Sequence, residues 1–290
     1  FNQPDPQAEL HARLWGLDDS SPMTVQHYAR GQQPEVPRVR VVAVGDRQPL
    51  VRPDMEVRLD GGLSVGFAVR NHDEMEALVA RAAERGVDTT AGITSIELNR
   101  PDGTPYEALE THFKAPDCVY GLAVGRPEDL PPVGPIEAGR VVGGPAYSAQ
   151  VVNGADPDLD FYRDAFGFEV RRDLWLTSSG PAGGLGLAPD TRMRFIQIYA
   201  PGTETAYLVM LDFGDIGLEN PTPVRPPSRG VGVWTFSTRA MDTVLERAAE
   251  CGAAVVGPPV AVRDPLWGDC RMASLMTPRG FLLELVEAAH

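Results

Sequence analysis

DLDFYRDAFGFEV, Asp158 to Val170, is the stretch from which the fold of this chain is read. Phe161, Ala165 and Phe166 stand at i, i+4 and i+5, the apolar stripe of a short helix, while Asp160, Arg163 and Asp164 fall on its solvent side. Gly167 sits where that helix needs a left-handed cap. Phe168 and Val170 then alternate with charged residues, as in a half-buried strand. Upstream, Tyr147–Val152 reads as a strand that feeds the helix. The rest of the chain can be read as repeats of this unit.

Working outward, Glu169–Leu176, Arg192–Tyr199 and Thr205–Phe213 are the three strands that complete the unit. Gly180 to Gly186 is a glycine-rich loop within it; with no lysine after it and no strand–loop–helix setting, it reads as a mobile loop rather than a phosphate cradle. Past a proline-rich crossing, Asn220 to Ser228, the unit recurs: strand Val231–Ser237, helix Ala240–Cys251 capped by Gly252, and strands Ala254–Val262, Arg271–Met276 and Phe281–Glu287. Before Tyr147, a Pro-rich linker at 127–141 separates an earlier pair of units. One is strand Leu63–Val69, a helix from Asp73 to the Gly86 cap with Met75, Leu78, Val79 and Ala82 inward, and strands Ile93–Leu98, Tyr106–Phe113 and Cys118–Val124. The other is helix Gln7–Leu17 followed by strands Met23–Ala29, Val36–Val44 and Met55–Leu59. The letters EALVARAAERG (Glu76–Gly86) against DTVLERAAECG (Asp242–Gly252) carry the same repeat.

Composition sets limits on function. A net charge of -14 leaves no basic patch to hold phosphates, so nucleic acid is not an expected partner. Cys118, Cys251 and Cys270 form no spaced pair, so neither a disulfide framework nor a zinc knuckle is indicated. No apolar run approaches the ~20 residues of a membrane span, and no signal peptide is visible, so the sequence predicts a cytoplasmic protein without membrane partners. The chain begins at Phe1 rather than Met, and its first unit has no strand before its helix. That strand either lies upstream or is missing from an incomplete first cup.

FYRDAFGFEV (Phe161–Val170) and TPRGFLLELVE (Thr277–Glu287), a proline–glycine turn into the last strand, resemble the vicinal oxygen chelate superfamily of glyoxalase, bleomycin-resistance and extradiol dioxygenase proteins. The likeness is strong over residues 145–287 and runs by element order over 1–126. It implies an α+β fold of four βαβββ units paired into two cupped mixed β-sheets with helices outside. The expected domains are 1–126 with units one and two, and 142–290 with units three and four.

The resemblance also implies a divalent metal in the cup, held by a His or Gln on the first strand of a unit and a Glu near the end of the last. Glu284 matches the carboxylate. The first-strand position, fourteen residues before Phe161, is Tyr147, and its counterpart in the last unit is Val233, give or take one. Neither replaces an imidazole. No histidine occurs between Phe113 and Ala289, so a two-His-one-carboxylate iron site cannot be assembled from the second half. No cofactor is therefore expected; a metal there would need Gln150, Glu284 and other oxygens. Glu284 reads either as a desolvated base with raised pKa or as a relic paired with Arg192, Arg194 or Arg271. Tyr147 is the partner hydrogen-bond donor or simply wall. Gln150, Trp234, Phe236, Trp267, Met210 and Met272 are the candidates to line an apolar pocket in the C-terminal cup, Met276 beside them. In the first half, Glu110 and His112 share a strand face, with His27 on another strand; a metal site is the sharp alternative there and a polar outer face the default. His72 reads as helix-start punctuation and His11 as an exposed helix position.

The function that follows is a superfamily enzyme acting on a hydrophobic, oxygen-bearing small molecule by metal-independent proton abstraction, isomerisation or lyase chemistry, with Glu284 as base. The alternatives are a binding or sequestering protein, as in the resistance members, and a divergent metal-dependent ring-cleaving dioxygenase. A monomer and a homodimer are equally compatible with the sequence.

Overall fold

In this computed structural model the structure describes residues 8–17, 24–29, 37–44, 48–100, 102–179 and 183–288. Helix α1 (Ala8–Leu14) and a hairpin of β1 (Thr24–Ala29) and β2 (Arg38–Ala43) are what the first unit contributes. The second is β3 (Gly61–Val69), α2 (His72–Glu84), β4 (Thr89–Asn99), β5 (Pro105–Lys114) and β6 (Tyr120–Gly125). The third is β7 (Val142–Val151), α3 (Asp156–Phe166), β8 (Glu169–Ser179), β9 (Pro189–Tyr199) and β10 (Tyr207–Asp212). The last is β11 (Val233–Ser237), α4 (Met241–Glu250), β12 (Ala254–Asp264), β13 (Gly268–Met276) and β14 (Leu282–Ala288).

Within each complete unit the first and last strands are parallel neighbours, which a helical crossover makes possible, and the remaining strands follow antiparallel. The units do not pair in chain order. Eight strands form one sheet in the order β4-β5-β6-β3-β7-β10-β9-β8, joined at its centre by antiparallel β3 and β7, with Gly66 opposite Tyr147. Unit two therefore pairs with unit three, across the expected boundary at 127–141. Unit four forms a separate four-stranded sheet, β11-β14-β13-β12, and unit one packs against it. Gly66 is the reason the centre closes: a Cβ there would overlap the Tyr147 ring.

The recognition stretch behaves as its spacing requires. Phe161 and Ala165 are buried, Asp160, Arg163 and Asp164 are exposed, and Gly167 caps α3 at φ 70°. Asp158 is the addition: it is buried and accepts from the Thr277 hydroxyl and the Arg279 N–H, both at 2.8 Å. The two signature segments thus touch. Burial pushes this carboxyl up to about 6, against the opposing pull of the Thr277 and Arg279 hydrogen bonds. Around it Phe161, Tyr162, Met241, Phe281 and Leu283 form the largest core, between the outer faces of the two sheets. Burying each such side chain contributes about 1.5–3 kcal/mol.

Met55–Leu59 is not a strand. Arg52, fully buried, donates to the carbonyls of Leu59 and Gly61 at 2.9 and 3.1 Å and also to that of Glu56. The carbonyls of Glu56 and Leu59 are thereby turned to the guanidinium, and the segment makes an isolated bridge, Leu59 to Leu218, instead of a ladder. The same segment has a 3₁₀ turn at Pro53–Met55, with Asp54 and Met55 at positive φ.

Candidate functional site

The cup formed by units two and three encloses a cavity of about 420 Å³. Side chains alternate along each strand, and the inward series are Glu110 and His112 of β5, Leu122 and Val124 of β6, Tyr147 and Ala149 of β7, and Tyr207, Val209 and Leu211 of β10. Leu187, Met193 and Phe195 extend the apolar wall, and Gly183 and Gly184 of the glycine-rich loop lie against it. Residues 180–182 of that loop lie outside the described residues.

Three tyrosines form a ladder on one wall. Tyr147 stacks on Tyr207 with centroids 4.7 Å apart, and Tyr207 stacks on Tyr199 at the same 4.7 Å. Burial raises the pKa of Tyr147 and Tyr207 far above that of a free phenol, so both hydroxyls stay protonated donors. Facing them, Glu110 has no ion-pair partner among the described residues, and burial alone pushes its carboxyl up to about 7. Its charge reaches the hydroxyls of Tyr147 and Tyr207. His112, two residues on, is held neutral by burial, its pKa pushed down to about 4, and its Nδ1 has no hydrogen-bond partner. Glu110 and His112 thus line the interior rather than a polar outer face; Leu122 and Val124, directly opposite them on β6, are buried too. The side chain of His27 lies outside the described residues.

Register shows what stands at the positions where the sequence resemblance would place metal ligands. Glu284 is paired with Thr235, two beyond Val233; by the same count Val209 pairs with Ala149, two beyond Tyr147, and Leu122 pairs with Gly66, two beyond Ser64. At those four positions the central cup thus presents Ser64, Leu122, Tyr147 and Val209, two hydroxyls and two hydrocarbons. That donor set does not fit a divalent metal. A metal-like cluster of described residues, His72, Asp73 and Glu76, is exposed at the start of α2, away from either cup.

Glu284 lies in the other cup, which is filled. Trp15 and Leu14 are buried against Met272, Leu282 and Val286, with Trp267 and Met276 packed alongside. The Trp15 indole donates to Glu284 Oε2 at 3.1 Å, and the Thr235 hydroxyl donates to Oε1 at 3.1 Å. Arg40 reaches Oε1 at 2.9 Å, and His11, buried rather than exposed, stands 4.0 Å from Oε2. Burial alone would raise this carboxyl, but Arg40 and His11, with the hydrogen bonds from Arg40 and Trp15, win and hold it below its ordinary value. The expectation of a base with raised pKa is therefore corrected, and the arginine beside it comes from β2 rather than from β9 or β13. A guanidinium stands where a metal would have to approach, so this carboxylate does not offer a metal site either.

The pocket candidates separate by strand face. Trp234 and Phe236 alternate with Val233 and Thr235 and point away from Glu284, into the core that α3 and α4 cover. Met210, between cavity-lining Val209 and Leu211, faces that core as well. Gln150, three residues from Tyr147, is fully buried on the outer side, beside the Tyr162 hydroxyl. Met272 and Trp267 wall the filled cup. Of the residues expected to form the C-terminal site only Tyr147 lines the cavity, and it is not across a cup from Glu284. Arg126, Arg172, Tyr207 and Tyr199, which no motif marked, complete its polar lining or its tyrosine ladder.

No family model matches the sequence, and no curated protein matches it. Solved structures do resemble it. Glyoxalase I from Zea mays superposes with a TM-score of 0.58 at 14% identity, covering 91% of this chain and 79% of that one. Half-length proteins match about half the chain: a glyoxalase family protein from Bacillus cereus (17% identity, 49% of this chain, 91% of that, TM-score 0.42) and TnmS3, an antibiotic binding protein from Streptomyces sp. CB03234 (22%, 49%, 93%, TM-score 0.29). Among the described residues no helix is long and apolar enough to cross a membrane.

Proposed function

Since the chain has the vicinal oxygen chelate fold with hydroxyls and hydrocarbons at the ligand positions of its open cup, we propose that it is an enzyme that moves a proton on a small, oxygen-bearing molecule without a metal. The observation that carries this reading is Glu110: an unpaired carboxyl with a pKa raised to about 7, aimed into a largely apolar cavity opposite protonated tyrosines. Such a carboxylate is matched to abstracting a carbon-bound proton near neutrality. Tyr147 and Tyr207 donate to the oxygen that becomes negative as the proton leaves. His112, neutral beside Glu110, accepts or donates one hydrogen bond and holds a substrate oxygen or hydroxyl in place. The apolar wall lowers the polarity around Glu110 and keeps it a weaker acid than a solvated carboxyl.

The test is solvent-deuterium exchange. A panel of aryl ketones and cyclic β-diketones is incubated with the protein in heavy water, and loss of the carbon-bound proton is followed by nuclear magnetic resonance. Wild-type protein accelerates exchange of at least one class, and Glu110→Gln reduces that rate by roughly 10²–10⁴-fold. Panel members that bind without accelerated exchange would favour the second reading, a sequestering protein, for which the tyrosine ladder and apolar walls already suffice.

A further inference from the structure

The chain carries 40 acidic and 26 basic residues, and many of its guanidiniums find a carboxylate. Arg40, Arg58, Arg163, Arg171, Arg194 and Arg271 each do so within 3.0 Å. Two that line the cavity do not, among the described residues. Arg126, just past β6, donates from Nη1 to the Pro131 carbonyl at 3.2 Å. Arg172, early in β8, donates from Nη2 to the Asn99 carbonyl at 2.8 Å and to the Tyr106 hydroxyl at 3.4 Å, while its Nη1 is buried with no hydrogen-bond partner. Both line the cavity, and both charges bear on the hydroxyl of Tyr199, the last rung of the tyrosine ladder, as does that of Arg171, which is paired with Glu204. Glu110 makes no ion pair with either arginine among the described residues.

Half-buried guanidiniums keep their charge, and leaving them without an anion in an acidic protein costs free energy that a bound anion recovers. We infer that the substrate is a flat aromatic carboxylate: Arg126 and Arg172 hold its carboxylate, and its ring system lies along Tyr207 and Tyr147 toward Glu110. A guanidinium fork fits a carboxylate with two parallel hydrogen bonds, and the tyrosine rings, whose faces are taken up by one another, meet the face of a planar body edge-on. The cavity of about 420 Å³ has room for two fused rings. This names the substrate class for the site proposed above and rests on that reading for the role of Glu110 only.

Calorimetric titration of the full chain with 2-naphthoate and with its uncharged analogue 2-naphthamide tests it. The carboxylate is expected to bind at least tenfold more tightly, and less so at high salt. Arg126→Gln and Arg172→Gln should each weaken naphthoate roughly tenfold, leaving the amide nearly unchanged. Arg126→Lys, which keeps the charge without the fork, should recover part of the loss. Glu110→Gln should bind naphthoate at least as well as wild type, because it removes a like charge. Equal or tighter binding of the amide overturns the inference, as does failure of both ligands to saturate at millimolar concentration. Carboxylate selection with deuterium exchange unaffected by Glu110→Gln would leave this inference standing and remove the proton-transfer reading alone.

Discussion

Glu110 and Glu284 are both enclosed glutamates on strands, yet their surroundings drive them in opposite directions. Glu110 has no ion-pair partner among the described residues, so burial makes the anion costly and lifts the pKa to about 7. A base must be ionised to act, so the exchange rate should rise as pH increases through about 7 and level off above it. A profile flat from pH 5 to 9 would remove Glu110 from the chemistry. At Glu284, Arg40 and His11 outweigh burial and favour the anion. Its folded pKa is lowered, so the stability it supplies is present above the unfolded value of 4.5 and lost as pH falls through the lower folded value. Arg40→Met, which strands the carboxylate, should cost on the order of 3 kcal/mol in urea unfolding at pH 7. That deficit should shrink below pH 4.5; one that stays constant with pH would contradict the ion-pair account. Sequence named both glutamates but could not tell which had a cation beside it, because Arg40 is 244 positions from Glu284 along the chain.

Strands and helices were read well where periodicity is strong and less well where tertiary contacts choose a face. Helix α3 was legible from Phe161, Ala165 and Gly167, since an apolar stripe and a left-handed cap are local properties. Met55–Leu59 has strand-like alternation, but Arg52 claims its carbonyls. The strand carrying Trp234 and Phe236 was found, whereas the face they take was not: alternation fixes which residues share a face, not which face is the cup. The same ambiguity put Glu110 and His112 on the outside. Gly66→Ala tests the central joint of the open cup. Its Cβ would overlap the Tyr147 ring, displace the first rung of the ladder and lower ligand affinity at least tenfold. Unchanged affinity would mean that the tyrosines do not line the bound molecule. Thr277→Val tests the contact between the two signature segments. It deprives Asp158 of one donor and should cost about 1–3 kcal/mol, read by thermal unfolding.

At the scale of the whole molecule, four similar units allow more than one pairing, and local sequence does not choose among them. Long-range contacts do: Gly66 permits β3 and β7 to join, and Trp15 with Arg40 seals unit one onto unit four. One cup is thereby filled and the other left open, which moves the candidate chemistry from the C-terminal cup to the central one. Trp15→Ala should cost about 3–5 kcal/mol because it empties the sealed cup. The same substitution should leave exchange by the folded protein intact.

The decisive measurement is the deuterium-exchange rate of Glu110→Gln beside that of Glu284→Gln, each taken on protein verified as folded at the assay temperature. The central cup predicts exchange lost by two orders of magnitude or more in Glu110→Gln and within a factor of three of wild type in Glu284→Gln. The reverse pattern, exchange lost with Glu284 and kept without Glu110, would contradict it.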